Sequence, residues 1–278
     1  MSQIEVFRSI QDMRQQVTQW KADGLRVGLV PTMGALHDGH LSLIDHIRTK
    51  VDRVIVSIFV NPTQFAAHED LDTYPRQEAA DLDHLQGHPA DCVFAPKADQ
   101  IYPQGFSTQI NMQGPARGLE TDDRPHFFGG VAVIVAKLLL QSQTDVAIFG
   151  EKDFQQLLVI QRMVSDLDIP VEIIGAPIIR EADGLAMSSR NAYLNAEQRQ
   201  IAGQLNGILA TLATSTLPIG QAEAQAHEAL LAAGFSQVDY AALRDAHDLQ
   251  AIGPHTTSRR ALIAARLGDI RLIDNMSA

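Results

Sequence analysis

The chain reads as an α/β protein: a doubly wound parallel sheet in its first two-thirds, then a smaller α+β unit. Three observations predict this. Short β-branched runs alternate with segments of helical spacing until about residue 180, the pattern of βαβ units. One of those runs, Val54–Val60, is apolar at every position but Ser57, as in a strand covered on both faces. Past residue 180 several strand-like runs follow one another with no helix between them.

Taken in order, Leu25–Val30 is a short apolar run ending at Pro31, and Leu41–Lys50 then has helical spacing. Val54–Val60, Cys92–Ala95, Val146–Phe149 and Val171–Ile179 read as strands, with helices over Ala79–Gln86, Val131–Gln143 and Phe154–Asp166. Parallel neighbours of this kind imply right-handed crossovers and helices on both faces. Glu197–Ser215 and Ile219–Ala233 read as two helices separated by Thr216-Leu217-Pro218, and Val238–Leu243, Ala261–Leu267 and Ile270–Ile273 as short strands. The boundary is expected near residues 176–186, dividing the chain into residues 1–178 and 179–278.

Composition narrows the function. The 278 residues are 45% apolar and 20% charged, enough for a substantial core, and aromatics are only 5%, so that core is expected to be aliphatic. A net charge of −11 argues against duplex nucleic acid or an anionic membrane as partner, though local cations can still line a cleft for an anionic substrate. The single cysteine, Cys92, excludes an internal disulfide and sits in an apolar run, where a buried thiol is expected rather than a nucleophile. The N-terminus lacks a basic-then-apolar leader, and no apolar run approaches the length of a membrane span, so a cytoplasmic location is expected.

The most informative stretch is Pro31-Thr32-Met33-Gly34-Ala35-Leu36-His37-Asp38-Gly39-His40-Leu41, where a strand ends and a helix begins. At that edge of a parallel sheet, helix N-termini present free N–H groups and partial positive charge to phosphates. Gly34 and Gly39 allow close backbone approach, and His37 and His40 stand one helical turn apart. Adenylyl transfer puts charge on the oxygen between the α- and β-phosphates, and placed N–H donors stabilise it. The bland alternative is a surface turn with two incidental histidines. Zinc is disfavoured, because no Cys or carboxylate stands at ligand spacing nearby.

Further segments fall at the same edge. Asn61 and Gln64 follow the strand Val54–Val60, and their amides suit carboxylate and hydroxyl oxygens. Val146–Phe149 runs into Gly150-Glu151-Lys152-Asp153, with Lys152 placed to counter phosphate charge and Gln156 one turn into the next helix. Asp183–Asn191 offers Ser188, Ser189 and Arg190 in a glycine-containing loop, apt for phosphate. Each alone is an ordinary polar loop; together they predict an enzyme that binds ATP and activates a small substrate.

Pro31–His40, Phe59–Phe65, Phe149–Gln156 and Arg180–Asn191, with Val238-Asp239-Tyr240 and Arg271–Asn275, closely resemble the pantothenate synthetase (pantoate–β-alanine ligase) family of the His-x-Gly-His nucleotidylyltransferase superfamily. The resemblance implies a Rossmann-like fold with the C-terminal α+β unit as a lid, and usually a homodimer. It also implies the chemistry. Pantoate and Mg-ATP give pantoyl adenylate and pyrophosphate; β-alanine's amine then displaces AMP. ATP and its accompanying Mg2+ are consumed as substrate, with no tightly bound organic cofactor.

By motif matching, ATP is bordered by Met33, Gly34, His37, Gly39 and His40, by Gly150, Glu151, Lys152 and Asp153, by Ile179 at adenine, and by the mobile loop Met187, Ser188, Ser189 and Arg190. The resemblance gives the catalytic roles to His40, His37 and Lys152, pantoate binding to Gln64 and Gln156, and β-alanine binding to Gln64 as well. Glu120 and Tyr74 resemble family positions without an assignable role. One departure stands out: the family's Arg-Pro-Gly-His-Phe-x-Gly-Val reads here Arg124-Pro125-His126-Phe127-Phe128-Gly129-Gly130-Val131, so His126 falls one residue early. Two rivals remain at this level. A nucleotidylyltransferase that stops after one transfer would not need the Gln64 and Gln156 pair, and an inactive nucleotide-binding regulator would not need His40, Lys152 or the Ser-Ser-Arg loop.

Overall fold

The computed structural model describes residues 4–65, 71 and 74–278. Elements run β1 (Glu5–Phe7), α1 (Ile10–Ala22), β2 (Val27–Thr32), α2 (Asp38–Arg48), β3 (Arg53–Ile58), α3 (Glu78–His84), β4 (Cys92–Phe94) and α4 (Ala98–Ile101). There follow α5 (Glu120–Asp123), α6 (Phe127–Ser142), β5 (Val146–Gly150), α7 (Phe154–Asp166), β6 (Glu172–Ala176), α8 (Ala196–Ala202), α9 (Leu205–Ala213), α10 (Ile219–Ala233), β7 (Gln237–Asp245), β8 (Arg259–Leu267) and β9 (Ile270–Ser277).

The first six strands form one parallel sheet in the order β1-β4-β3-β2-β5-β6. Their side chains alternate between two cores. Leu29, Ile55, Ala147 and Phe149 face α1, α6 and α7, whereas Val30, Val54, Val56, Val146 and Ile148 face α2. That period of two, with both faces covered, is why the strands read as unbroken apolar runs. The sheet is the expected Rossmann-like one.

From β2 the chain winds outward to β3 and β4, then returns to continue on the other side with β5 and β6. The order reverses between β2 and β5, and the crevice beyond their carboxyl ends is where an open α/β sheet binds its ligand.

Residues after β6 build a separate core. Leu205, Leu209 and Leu230 from α9 and α10 pack on Leu243, Ile263 and Leu272 of an antiparallel sheet in the order β7-β8-β9. This is the small α+β unit the sequence predicts.

Three details differ from expectation. The strand after α1 is the second, not the first: β1 and α1 precede it, and β1 adds an edge strand beside β4. Glu197–Ser215 is not one helix, because it breaks at Gly203-Gln204. A Cβ on Gly203 would lie 2.6 Å from the Asp183 carboxylate, so this glycine admits the 181–186 loop against the helix end. Ile270–Ile273 is only the start of β9, which continues to Ser277. Cys92 is buried as expected, and burial pushes its thiol up to about 12. Among the described residues no helix is long and apolar enough to cross a membrane.

Candidate active site

Between the two sheets lies a cleft of about 1150 Å³ lined from both. Its floor is the switch point. β2 ends at Thr32, whose hydroxyl donates to Ser57 O (2.8 Å) and accepts from Gly34 N–H (3.2 Å). Gly34 and Ala35 then both take positive φ, 81° and 51°, a conformation that favours glycine and strains alanine. Asp81 of α3, 1% exposed, holds this bend by accepting from Ala35 N–H (3.1 Å) and Leu36 N–H (2.7 Å).

The bend delivers His37 as the N-cap of α2, where its Nδ1 accepts from Gly39 N–H at 3.1 Å. An accepting Nδ1 leaves the proton on Nε2. The His37 and His40 rings lie 4.1 Å apart, and a Cβ at position 39 would fall 2.8 Å from the His37 ring, so a side chain there would push that ring aside. Burial, with His37 and Lys152 close by, pushes the His40 pKa down to about 3. His37 is lowered too, by burial and Lys152, against the opposite pull of Asp38 and Glu181. Both imidazoles are therefore neutral donors at pH 7. The buried Nδ1 of His40 has no hydrogen-bond partner in the protein.

Across the switch point β5 ends at Gly150, and the turn Glu151–Asp153 leads into α7. Lys152, Asp153 and Gln156 line the cleft here. After β3 the turn Pro62–Gln64 brings Gln64 to the wall, its carbonyl accepting from Arg124 (2.9 Å). An apolar strip of Phe59, Val131, Val135, Leu138 and Phe149 runs along the same cleft. Ile179 and the loop Met187–Arg190 close another side, with Ser188 accepting from Arg190 N–H.

The structure thus brings together Met33, His37, Gly39, His40, Gln64, Gly150, Lys152, Asp153, Gln156, Ile179, Met187, Ser188, Ser189 and Arg190. Two predicted residues lie outside the lining. Gly34 turns towards Asp81, 2.9 Å from where its Cβ would be, and Glu151 pairs with Arg260 at 3.0 Å. Asn61 is likewise spent on structure: its Oδ1 accepts from Tyr102 (2.7 Å) and Thr63 (3.0 Å), and its amide donates to Gly130 O. His126 is exposed outside the cleft, and Phe127, next along the chain, lines it instead, 3.8 Å from the Arg124 guanidinium.

The sequence reading missed Asp81, Arg124, Phe127 and the C-terminal contributors Tyr240, Arg271 and Asn275. Asp81 carries a local hint, as an acid on the apolar side of a predicted helix, and Tyr240, Arg271 and Asn275 lie in segments that resemble the family but have no role assigned there. Among the described residues no group of three or more His, Cys, Asp or Glu stands ready to hold a metal.

Comparison with known proteins gives the family and the fold. The sequence profile of the Pantoate-beta-alanine ligase family matches residues 5–277. The chain is 54% identical to the pantothenate synthetase of Caulobacter vibrioides over 278 residues, 98% of each chain. It is 55% identical to that of Mesorhizobium japonicum over 282 residues, 99% of this chain and 98% of the other. The crystal structure of pantothenate synthetase from Thermus thermophilus superimposes with a TM-score of 0.91 at 40% identity, covering 98% and 99% of the two chains. The pantoate-beta-alanine ligase of Francisella tularensis, complexed with beta-gamma ATP and beta-alanine, gives 0.83 at 33% identity over 99% and 97%. With fold, cleft and full-length similarity in accord, the chain belongs to the pantoate–β-alanine ligase family.

Proposed function

We propose that this cleft condenses pantoate with β-alanine at the expense of ATP, through an enzyme-held pantoyl adenylate. The observation that carries the reading is the pairing of two chemistries in one cleft. Phosphate-facing donors (His37, His40, Lys152 and the Ser188–Arg190 loop) meet two neutral amides, Gln64 and Gln156, beside an apolar strip.

In the first step a pantoate carboxylate oxygen attacks the α-phosphorus, the bond to the bridging oxygen breaks, and pyrophosphate leaves with the electron pair. Neutral His40 and His37 donate to the oxygens that gain charge, the N-terminus of α2 adds its partial positive charge, and Lys152 offsets the charge on the departing phosphates. Gln64 and Gln156 hold the pantoate oxygens, and the apolar strip accommodates its dimethyl carbon. Met33, Gly39, Gly150 and Asp153 border the nucleotide, with Ile179 at adenine; Gly34 and Glu151 serve it by shaping the turns on either side. In the second step the amine of β-alanine, placed beside Gln64, attacks the acyl carbon; AMP leaves and the nitrogen loses a proton. Water reaching the adenylate would hydrolyse it, so residues 179–278 act as a lid over the site formed by residues 1–178.

Mg2+ fits this site as a companion of the nucleotide. With no ready cluster of protein ligands among the described residues, it would be held mainly by the phosphates, with Asp153 the carboxylate at hand, and would supply charge neutralisation. The family resemblance also supports a cytoplasmic homodimer, for which sedimentation should give twice the 30.4 kDa chain mass.

The deciding experiment is AMP release with each of pantoate, β-alanine and ATP omitted in turn, beside ATP–pyrophosphate exchange. Exchange should require pantoate but not β-alanine, and AMP release should require both. Exchange driven instead by nicotinamide mononucleotide or phosphopantetheine would show a one-transfer nucleotidylyltransferase.

A further inference from the structure

Two of the cleft's phosphate-facing segments are the Glu151–Asp153 turn and the loop leading to Ser188–Arg190. Both are tied to one short piece of β9. Asn275, 2% exposed, donates through Nδ2 to two backbone carbonyls, Glu151 O (2.9 Å) and Lys152 O (2.8 Å). Its Oδ1 accepts from Arg260 Nε at 2.7 Å, so the amide orientation is settled by partners on both ends. Arg260 itself reaches Glu151 Oε2 (3.0 Å) and lies 4.0 Å over the Phe154 ring at the start of α7.

The neighbouring residue serves the other segment. Asp274, whose side chain is wholly buried, accepts from Arg180 at 2.6 and 3.0 Å, and Arg180 also donates to Gly184 O at 2.9 Å. Arg180 bridges to Ala186, immediately before Met187. Successive strand residues project to opposite faces, so one dipeptide of the C-terminal domain can grip loops on its two sides at once.

We infer that Asn275 is a positioning residue for adenylyl transfer: with Arg260 it fixes the backbone of the Glu151–Lys152 turn, and through it the Lys152 ammonium. The inference rests on the reaction proposed above. Lys152 acts on the phosphates that leave in the first step, and by the second step they are gone. A residue that works through Lys152 therefore affects formation of the adenylate and spares its aminolysis.

The test separates the half-reactions. Asn275→Ala should lower pantoate-dependent ATP–pyrophosphate exchange on the order of 10- to 10²-fold, the scale of a small displacement of a reacting group. Its conversion of supplied pantoyl adenylate and β-alanine to pantothenate should match the parent enzyme. Combined with Lys152→Ala it should cost nothing beyond Lys152→Ala alone, the mark of two residues acting as one unit. Equal loss in both half-reactions, or additive loss in the double variant, would overturn the inference, since a reduced folded fraction behaves that way. Should Asn275→Ala fail to fold, Asn275→Asp keeps the volume, turns the donor into an acceptor facing two carbonyls, and carries the same test. Absence of pantoate-dependent exchange in the unsubstituted enzyme would instead refute the reaction itself.

Discussion

His37 and His40 show how one residue type is put to two uses a single turn apart. His37 caps α2 with a ring nitrogen, a task usually left to Ser, Thr, Asp or Asn, and so keeps its proton on the outward Nε2. His40 is held neutral by burial. Removing a donor that acts on developing charge should be expensive: His40→Ala is expected to lose on the order of 10²- to 10³-fold in kcat, read by AMP release. An unchanged kcat would remove His40 from the chemistry. Its protonation has a thermodynamic consequence too. The folded-state pKa of about 3 lies below the ordinary 6.5, so below pH 6.5 the unfolded chain takes up a proton the folded chain refuses. The contribution is full above 6.5 and is lost as pH falls towards 3, at no more than about 1.4 kcal/mol per pH unit. Urea titrations at pH 7 and pH 5 should show a larger drop for the parent than for His40→Gln; equal drops would refute the buried neutral state. Gln156→Ala should raise the KM for pantoate, because a substrate oxygen loses its donor. A rise confined to the KM for ATP would reassign the residue.

At the scale of elements, the start of α6 sets the position of Gln64. A Cβ on Gly130 would lie 2.3 Å from Thr63 O and 2.8 Å from Thr63 C, both backbone atoms that cannot swing aside. The helix can therefore approach the Pro62–Gln64 turn only because residue 130 has no side chain, and Asn61 seals the contact by donating to Gly130 O (3.3 Å). Gly130→Ala should cost about 1–3 kcal/mol of stability through overpacking and raise the KM for pantoate through displacement of Gln64. Denaturant unfolding and steady-state kinetics check the two effects separately; a variant normal in both would mean that the turn is free to move.

Over the whole molecule, a charged network ties the C-terminal antiparallel sheet to the segment around α5. Arg271 of β9 donates to Glu120 of α5 at 2.8 Å and to Asp239 of β7 at 2.7 Å, Arg266 pairs with Asp123 at 2.6 Å, and the Tyr240 hydroxyl donates to Glu120 at 2.6 Å. Burial, with Glu120 beside it, holds the Tyr240 phenol well above its usual value, so it stays a neutral donor. Arg271→Ala removes the cation that bridges Glu120 and Asp239, leaving them the longer contacts to Arg124 (3.8 Å) and Arg266 (3.3 Å), and should destabilise the fold by up to about 3–5 kcal/mol in denaturant titrations. A loss under about 1 kcal/mol, the scale of an exposed pair, would show that this contact is open to water in solution.

What was legible in the residues was whatever a short stretch of chain decides for itself. Uninterrupted β-branched runs specify strands buried on both faces, and a glycine-rich turn before a helical segment specifies a phosphate-facing N-terminus; the segments around His40, Gln64, Lys152 and Ser188 follow from these. The three-residue β1 and the break at Gly203 were not legible, because the first is too short for any period and the second depends on Asp183 packing against it. Arg271 and Asn275 fall in a segment that resembles the family, and Asp81 on the apolar side of a predicted helix, but nothing in one dimension gives any of the three a partner. Only folding brings Asn275 against Lys152, 123 positions away, and Arg271 against Glu120, 151 away. Local sequence determines the elements and the turn chemistry, since backbone sterics and hydrophobic period act over a few residues. The alignment of two loops and two domains around one cleft comes from hydrogen bonds and ion pairs that exist only once distant segments share a dry interface, and the tertiary structure alone decides that.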